Sequence, residues 1–583
     1  MLRIWLLTAI AKALFLCVAA GAPNVIIIVA DDVGWSHLGS EEGDEEDAPV
    51  LQGLREESTA FEQLFVSPTG AASRAALITG RHEFAVGVSH GFVGRNLLRP
   101  GVPTMPELMR DAGYSTGIFG LWQLGDAFPC RPEDRGFEEI LVHGGAGIGA
   151  VPDAWGNVRT APLLRSGAGW VETEGGAAEV VFERATKWLN EEVEKGKSFF
   201  LWLAPEMSAD SGERLSELEA NLKGLLRTLE EREVADETIV VFVSDGGGGS
   251  VGIGGIADDG TVRVPCFVRW PGKIAPGRKV DALAAHFDLM PTVASLCGVA
   301  MPAQWRGDGM DLSAALKSES EFPKERTLFF HAGGWPGDES PARHRTRGFS
   351  VRTPKWRLVG LELFDMENDP EQRENLFPGP DGMASRLLVD YGRWWDSVQP
   401  SLMSPVRYRV GDDRCPVVDL TCADWWPSLE AETGTHVEFR GQAQIRAYLD
   451  KSRVAKTRNA LPGASGHWKL DVAREGRYRV RMSLLPKSAP DDERRRIGLL
   501  RSGTAHVRVA KREVQLEVVE RASSVAMEID LDAGPADLEA WFGGQLPADR
   551  KIGAFFASIE RVGDRKEVLP ELEVKPVEGS GQE

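Results

Sequence analysis

A short apolar run near the start of the chain constrains the fold more than any other segment. Residues 24–30 read Asn-Val-Ile-Ile-Ile-Val-Ala and are followed at once by two acidic residues, Asp31 and Asp32. A run of this length that is rich in β-branched residues is typical of a strand buried on both faces of a sheet. Such strands occur where helices cover the sheet on each side.

The same pattern recurs along the first half of the chain, with helical patterns between the apolar runs. The runs lie at 114–119, 199–204, 238–244 and 264–270, and the helical patterns at 180–194 and 215–231. This alternation predicts an α/β fold, a layered sheet with helices on both faces.

Two of the predicted strands end in carboxylates. Asp31 and Asp32 follow the first strand, and Asp245 follows the strand at 238–244. In an open α/β sheet the carboxyl ends of the strands meet at the edge where ligands bind, so residues far apart in sequence come together there. The three aspartates favour a cation site, and the competing interpretation is that each caps a following helix or turn.

The net charge excludes one class of partner. The formal charge is −20, from 67 basic and 87 acidic residues, and the basic residues form no cluster in the sequence. Nucleic acid is therefore not an expected partner.

The first 22 residues predict export. Arg3 and Lys12 flank a short apolar stretch, and small residues follow up to a cleavage point near Ala20 to Ala22. This is the pattern of a signal peptide and predicts a periplasmic or extracellular protein. A membrane helix needs about 20 consecutive apolar residues. We therefore expect no transmembrane span in the mature chain.

The pattern changes in the last third of the chain. Tyr478, Val480 and Met482 alternate with polar residues, as in a strand with one buried face. We predict an α/β domain at 23–415 with a small subdomain from about 330, a β-sandwich domain at 416–566, and a flexible tail at 567–583.

Cys415 and Cys422 either pair or remain separate thiols. The Trp394-Trp395 and Trp425-Trp426 pairs are expected to pack the two domains together.

A series of motifs in this order resembles the sulfatase family of the alkaline-phosphatase superfamily. The residues 73–81 (Ser-Arg-Ala-Ala-Leu-Ile-Thr-Gly-Arg) resemble that family's nucleophile helix, and residues 142–157 resemble bacterial arylsulfatases that carry a C-terminal β domain. Further matches lie at 23–34, 111–120, 135–137, 243–245, 264–272, 288–292 and 363–370. The resemblance implies a sulfuric ester hydrolase fold and a calcium ion bound by Asp31, Asp32 and Asp245.

The resemblance also implies a nucleophile that this chain does not carry. The family places a Cys or Ser, converted to formylglycine, four residues before Arg74, where this chain has Gly70. Glycine has no side chain to oxidise, so no formylglycine forms there. The neighbouring Thr69 is a poor substitute, because a shift of one residue on a helix turns the side chain by roughly 100°. We expect Thr69 instead to lead the chain into a helix that begins near Gly70.

Other family positions are changed as well. The sulfate-binding lysine and the histidine of the family's Gly-Lys-Trp-His segment correspond to Leu121 and Gln123, and a further lysine corresponds to Gly254. The Asn of the calcium shell corresponds to Gly246. Arg74 is retained. We therefore expect at most a weakly bound calcium.

Three functions remain open on the sequence. The favoured one is a pseudoenzyme that binds a glycan, sulfated or otherwise, a cation or a protein partner. The second is a hydrolase of sulfate or phosphate esters with a rearranged mechanism. The third is a structural partner of a related, active sulfatase.

Overall fold

The computed structural model describes residues 21–38, 48–167, 169–208, 210–248, 259–337, 339–428, 437–454, 461–546 and 550–565. The predicted signal peptide up to residue 20, Gly254 and the predicted tail lie outside these residues. Within the described ranges no helix combines the length and apolar character that a membrane crossing requires.

A mixed sheet of eleven strands forms the centre of the described α/β region, in the order β10-β2-β9-β8-β1-β7-β3-β4-β5-β6 with β11 beside β2. The strands are β1 (Asn24–Ala30), β2 (Thr59–Phe65), β3 (Ser115–Gly120), β4 (Glu139–Val142), β5 (Leu164–Ser166), β6 (Gly169–Val171), β7 (Phe199–Ala204), β8 (Thr238–Ser244), β9 (Arg263–Arg269), β10 (Arg278–Val280) and β11 (Ala284–Ala285). The five strands predicted from the apolar runs are β1, β3, β7, β8 and β9. Strands β8, β1, β7, β3 and β4 run parallel in the middle of the sheet.

Helices cover both faces of this sheet because side chains of β1 alternate between two cores. Ile27 packs in one core with the helices at Gly70–Thr79 and Met105–Asp111, and Ile28 packs in the other with the helices at Ala177–Glu194 and Ser211–Glu231. The helices of this region are α1 (Pro49–Glu56), α2 (Gly70–Thr79), α3 (Met105–Asp111), α4 (Ala177–Glu194), α5 (Ser211–Glu231), α6 (Leu289–Leu296) and α7 (Ser313–Leu316). The α/β fold class predicted from the sequence is confirmed.

A smaller antiparallel sheet follows. It consists of β12 (Leu328–His331), β13 (Phe349–Arg352), β14 (Trp356–Val359) and β15 (Glu362–Asp365), and α8 (Met383–Met403) packs on it. Trp394 and Trp395 lie in this core, where Trp394 stacks on Phe329. The expectation that this Trp pair packs against the C-terminal domain is wrong. It joins the subdomain to Phe84 of the α/β domain instead.

The C-terminal region is a β-sandwich, as predicted. One sheet has the order β16-β19-β24-β21-β22 with β18 and β25 at its sides, and the other has the order β17-β26-β20-β23. The strands are β16 (Tyr408–Val410), β17 (Val417–Thr421), β18 (Trp426–Pro427), β19 (Gly466–Val472), β20 (Gly476–Ser483), β21 (Gly503–Val509), β22 (Arg512–Val518), β23 (Val525–Leu531), β24 (Gly534–Gly543), β25 (Ile552–Gly553) and β26 (Phe556–Gly563). Helices α9 (Gln442–Val454) and α10 (Asp491–Glu493) accompany them.

The interior of the sandwich shows why its strands alternate. Tyr478, Val480 and Met482 of β20 are fully buried and pack with residues of the opposite sheet. Trp425 lies in the same core. The Arg95 guanidinium of the α/β domain lies over the ring of the neighbouring Trp426, 5.8 Å from the ring centroid. Cys415 and Cys422 are separate thiols.

Candidate functional site at the carboxyl edge of the central sheet

The predicted carboxylates meet because their strands are parallel neighbours. In the β1–β8 register Ala30 lies opposite Ser244, so Asp31 and Asp245 leave the sheet side by side. The Asp32 N–H donates to Asp245 Oδ1 at 3.2 Å. Asp245 is buried, Asp31 is half-buried and Asp32 is exposed. The structure thus brings together the three aspartates that the sequence singled out.

Arg74 neutralises the most buried of these carboxylates. Its Nε donates to Asp245 Oδ2 at 2.9 Å, and its Nη2 lies 2.8 Å from the same oxygen. A third bond runs from Nη1 to the carbonyl oxygen of Leu121 at 3.0 Å. Both members of the ion pair are 1% exposed. The retained family arginine is therefore an interior charge partner for Asp245.

Gly70 faces this ion pair. It is the first residue of α2, and Thr69 precedes it in an extended conformation without a side-chain cap hydrogen bond. A Cβ atom at Gly70 would lie 2.8 Å from Asp245 Oδ2 and 3.5 Å from Gln123 Oε1. A side chain at position 70 would thus point into the acidic edge. The helix begins after Thr69, as the sequence suggested.

The two positions that follow β3 differ in character. Leu121 is 4% exposed and packs in the core with α2. Gln123 is half-buried and has a left-handed backbone with φ of 64°. Its carbonyl oxygen accepts from Asn96 Nδ2 at 2.9 Å. Neither side chain carries a charge, so neither supplies the cationic contact of an anion-binding residue.

The edge is acidic, and burial opposes ionisation there. Burial, with repulsion from Asp245, raises the pKa of Asp31 to about 7. The pKa of Asp32 is raised as well, by partial desolvation of its carboxyl group and by repulsion from Asp245. Burial raises the pKa of Glu206, the second residue after β7. A sulfate or phosphate ester approaching these carboxylates would be repelled.

Some residues at this edge were not singled out by the sequence. Arg214 of α5 donates to the carbonyl oxygens of Asp31 and Asp32, at 3.4 and 2.8 Å, and so fixes the turn after β1. Glu206 accepts from the Ile148 N–H at 2.7 Å and from Arg159 Nη1 at 3.3 Å. No sequence pattern marks Arg214, because its role depends on how α5 packs on the sheet.

The three aspartates do not fit a divalent cation as they are arranged. Arg74 takes Asp245 Oδ2, and the Asp32 N–H takes Oδ1. Among the residues that the structure describes, no group of three or more His, Cys, Asp or Glu side chains is placed to hold a metal ion. Calcium takes about six to eight oxygen ligands in proteins. In addition, a Cβ atom at Gly246 would overlap Asp32 Oδ1, so a larger family residue requires Asp32 to move.

The family comparison indicates the alkaline-phosphatase-like superfamily, and the parallel central strands with carboxylates and an arginine at their carboxyl edge agree with it. The model of the family described as Sulfatase matches residues 23–208 and 206–299, and that of N-sulphoglucosamine sulphohydrolase, C-terminal, matches residues 256–385. The region of the chain at 23–385 therefore belongs to the sulfatase family.

Individual proteins agree with this assignment. Arylsulfatase A of Bos taurus is 29% identical over 479 residues, which cover 66% of this chain and 89% of that protein. The crystal structure of Ps i-CgsB has a TM-score of 0.57 at 24% identity and covers 65% of this chain and 94% of its own. The structure of BT4656 in complex with its substrate D-glucosamine-2-N,6-O-disulfate has a TM-score of 0.53 at 16% identity. The match covers 65% of this chain and 98% of that one. These two structures support the fold.

Proposed function

We propose that this protein is a catalytically silent sulfatase-family member that binds a glycan at the carboxyl edge of its central sheet. The observation that carries the proposal is Gly70, whose missing side chain would point at Asp245. A covalent mechanism needs a nucleophile, and glycine supplies none. The uncharged Leu121 and Gln123 remove two groups that would stabilise charge in the transition state, at about 10² to 10³ in rate each.

A glycan is the proposed ligand class because the fold is shared with sugar-sulfate enzymes. BT4656 has a disulfated glucosamine as its substrate. The half-buried Gln123 and Gly70 leave polar amide and backbone groups at the edge, and these suit sugar hydroxyls. We also propose export, on the sequence of residues 1–22.

The first test is hydrolysis by the unmodified protein. With 4-nitrophenyl sulfate we expect no release of 4-nitrophenol above the buffer rate, because the covalent path is absent. Mass spectrometry should find an unmodified glycine at position 70. An active arylsulfatase run beside it checks the assay. Turnover of the sulfate, or of phosphate and phosphonate esters in the same screen, contradicts the proposal and supports a rearranged hydrolase.

The second test concerns calcium. Because Arg74 already neutralises Asp245, we expect 1 mM calcium to raise the melting temperature by less than about 2 °C, the shift given by a millimolar Kd. EDTA should likewise have little effect. Differential scanning calorimetry with calcium, magnesium and EDTA measures this. A rise of many degrees at micromolar calcium would show a tight site and overturn this expectation.

A further inference from the structure

Two aromatic rings lie next to the acidic edge. Gln123 joins the two regions: its Oε1 is 3.5 Å from the Cβ position of Gly70, and its Nε2 is 4.0 Å from the Cβ position of Gly91. Gly91 is flanked by His90 and Phe92, whose half-buried rings are 4.3 Å apart at 65°. This rim is therefore separated from Gly70 by one side chain, that of Gln123.

The C-terminal domain adds a cation to this rim. The Arg440 guanidinium lies 3.7 Å from the centroid of the Phe92 ring. Its side chain is 57% exposed, and its Nη2 lies 3.3 Å from Glu438 Oε2. Because more than half of this side chain is exposed, a ligand can approach the guanidinium from solvent.

The backbone of both domains fixes Arg440 in this place. Its carbonyl oxygen accepts from the Val151 N–H of the α/β domain at 3.2 Å. Its own N–H donates to Gln444 Oε1 at 2.7 Å. In the next residues, the Gln442 side chain donates to three carbonyl oxygens of the same α/β loop, those of Ala150, Asp153 and Ala154. Because its backbone is held in this way, Arg440 has fewer positions available to its side chain, which lowers the entropy that binding loses.

The chemistry of this rim differs from that of the centre. At the centre the aspartates repel an anion, and Arg74 is already bound to Asp245. At the rim a planar guanidinium can donate two parallel hydrogen bonds to a carboxylate or sulfate. The Phe92 ring packs against this guanidinium and helps to orient it. Burial and the nearby Arg95 lower the pKa of His90 to about 3, so this imidazole is neutral and can bond to hydroxyls.

We propose that Arg440, Phe92 and His90 form a subsite for the acidic group, carboxylate or sulfate, of a glycan whose adjoining sugar lies at the Gly70 edge. The proposal rests on the glycan-binding function proposed above. It moves the contact with the anion from the centre of the family site to a residue of the C-terminal domain.

Calorimetric titration of the full chain with three hexasaccharides tests this. The probes are a chondroitin sulfate hexasaccharide, an oligogalacturonate of six residues, which has carboxylates only, and neutral cellohexaose. We expect an acidic probe to bind at least about tenfold more tightly than cellohexaose, and less tightly as salt is added. The comparison between the two acidic probes identifies the sulfate or the carboxylate as the preferred group.

Variants locate the contact. Arg440→Gln should weaken binding of the acidic probe about tenfold. Arg440→Lys keeps the charge but not the planar guanidinium, so its affinity should lie between those of the unmodified protein and Arg440→Gln. Arg479→Gln is the matched control, because Arg479 on β20 is 44% exposed and forms an ion pair with the carboxylate of Glu528 on β23. Its affinity should be unchanged. Phe92→Leu removes the ring against which the Arg440 guanidinium packs, so it should also weaken binding of the acidic probe while it keeps the charge of Arg440.

Any one of three results would overturn the subsite. The first is equal binding of the acidic and neutral probes, and the second is no binding of either acidic probe. The third is that Arg440→Gln and Phe92→Leu both bind the acidic probe with unchanged affinity. Thermal denaturation checks that each variant is folded. If Arg440→Gln does not fold, the affinities of Phe92→Leu and Arg440→Lys test the subsite instead. Equal binding of acidic and neutral probes overturns the subsite but leaves the proposed glycan-binding function in place. No binding of any probe, or turnover of an ester by the unmodified protein, would count against the proposed function itself.

Discussion

Gly70→Cys together with Ala72→Pro is expected to restore formylglycine without restoring sulfatase turnover. The two changes rebuild the motif that the maturation enzyme of the family reads. Ala72→Pro removes no hydrogen bond from α2, because the first N–H bonded within the helix is that of Ser73, which donates to the Thr69 carbonyl oxygen at 2.9 Å. Turnover should stay at background, since Leu121 and Gln123 still cannot donate to sulfate oxygens or the leaving group.

Measurable turnover is expected only when Leu121→Lys, Gln123→His and Gly246→Asn are added. The structure indicates what this requires. A side chain at position 70 lies 2.8 Å from Asp245 Oδ2, so that carboxylate has to shift. An asparagine at position 246 would overlap Asp32 Oδ1, so the Asp32 side chain has to turn away. Because Leu121 is buried in the core, a lysine there also costs stability, and circular dichroism must confirm folding.

The assay is hydrolysis of 4-nitrophenyl sulfate after co-expression with the maturation enzyme, with mass spectrometry at residue 70. The matched control carries the same other changes with Gly70→Ala, which fills the position but cannot be oxidised. It should show no turnover. Rapid turnover by the variant with two changes alone would show that the basic groups matter far less than the geometry implies.

The sequence predicted the architecture of this edge but not its internal pairing. The apolar runs located β1 and β8, and the rule that parallel strands present their carboxyl ends at one edge placed Asp31, Asp32 and Asp245 together. That Arg74 occupies an oxygen of Asp245 depends on the position of α2 over the sheet, and no sequence pattern encodes this. A cation site was therefore favoured, although the observed pairing does not suit one.

Long-range packing explains what else the sequence missed. Trp394 and Trp395 lie near the domain junction in sequence, yet α8 turns them into the subdomain core. Arg440 reaches Phe92 across the domain boundary, and such contacts follow from tertiary packing rather than from local propensity or periodicity.

Replacing Arg74 by methionine is expected to lower the free energy of unfolding by about 3–5 kcal/mol, the cost of leaving a buried charge without its partner. Asp245 is 1% exposed and has Arg74 as its ion-pair partner, so the loss falls on a carboxylate that water cannot reach. Urea denaturation followed by tryptophan fluorescence measures the change.

A double variant separates the ion pair from simple packing. Arg74→Met with Asp245→Asn removes both charges, and we expect it to recover more than half of the loss, because the stranded carboxylate is gone. The exposed pair of Arg393 and Asp390, 3.1 Å apart, is the control, and Arg393→Met should change stability by less than about 1 kcal/mol. If the double variant is as unstable as Arg74→Met alone, the arginine acts through its packing and its bond to the Leu121 carbonyl oxygen. Recovery would instead explain why this arginine is retained without a nucleophile: it neutralises the carboxylate at the end of β8.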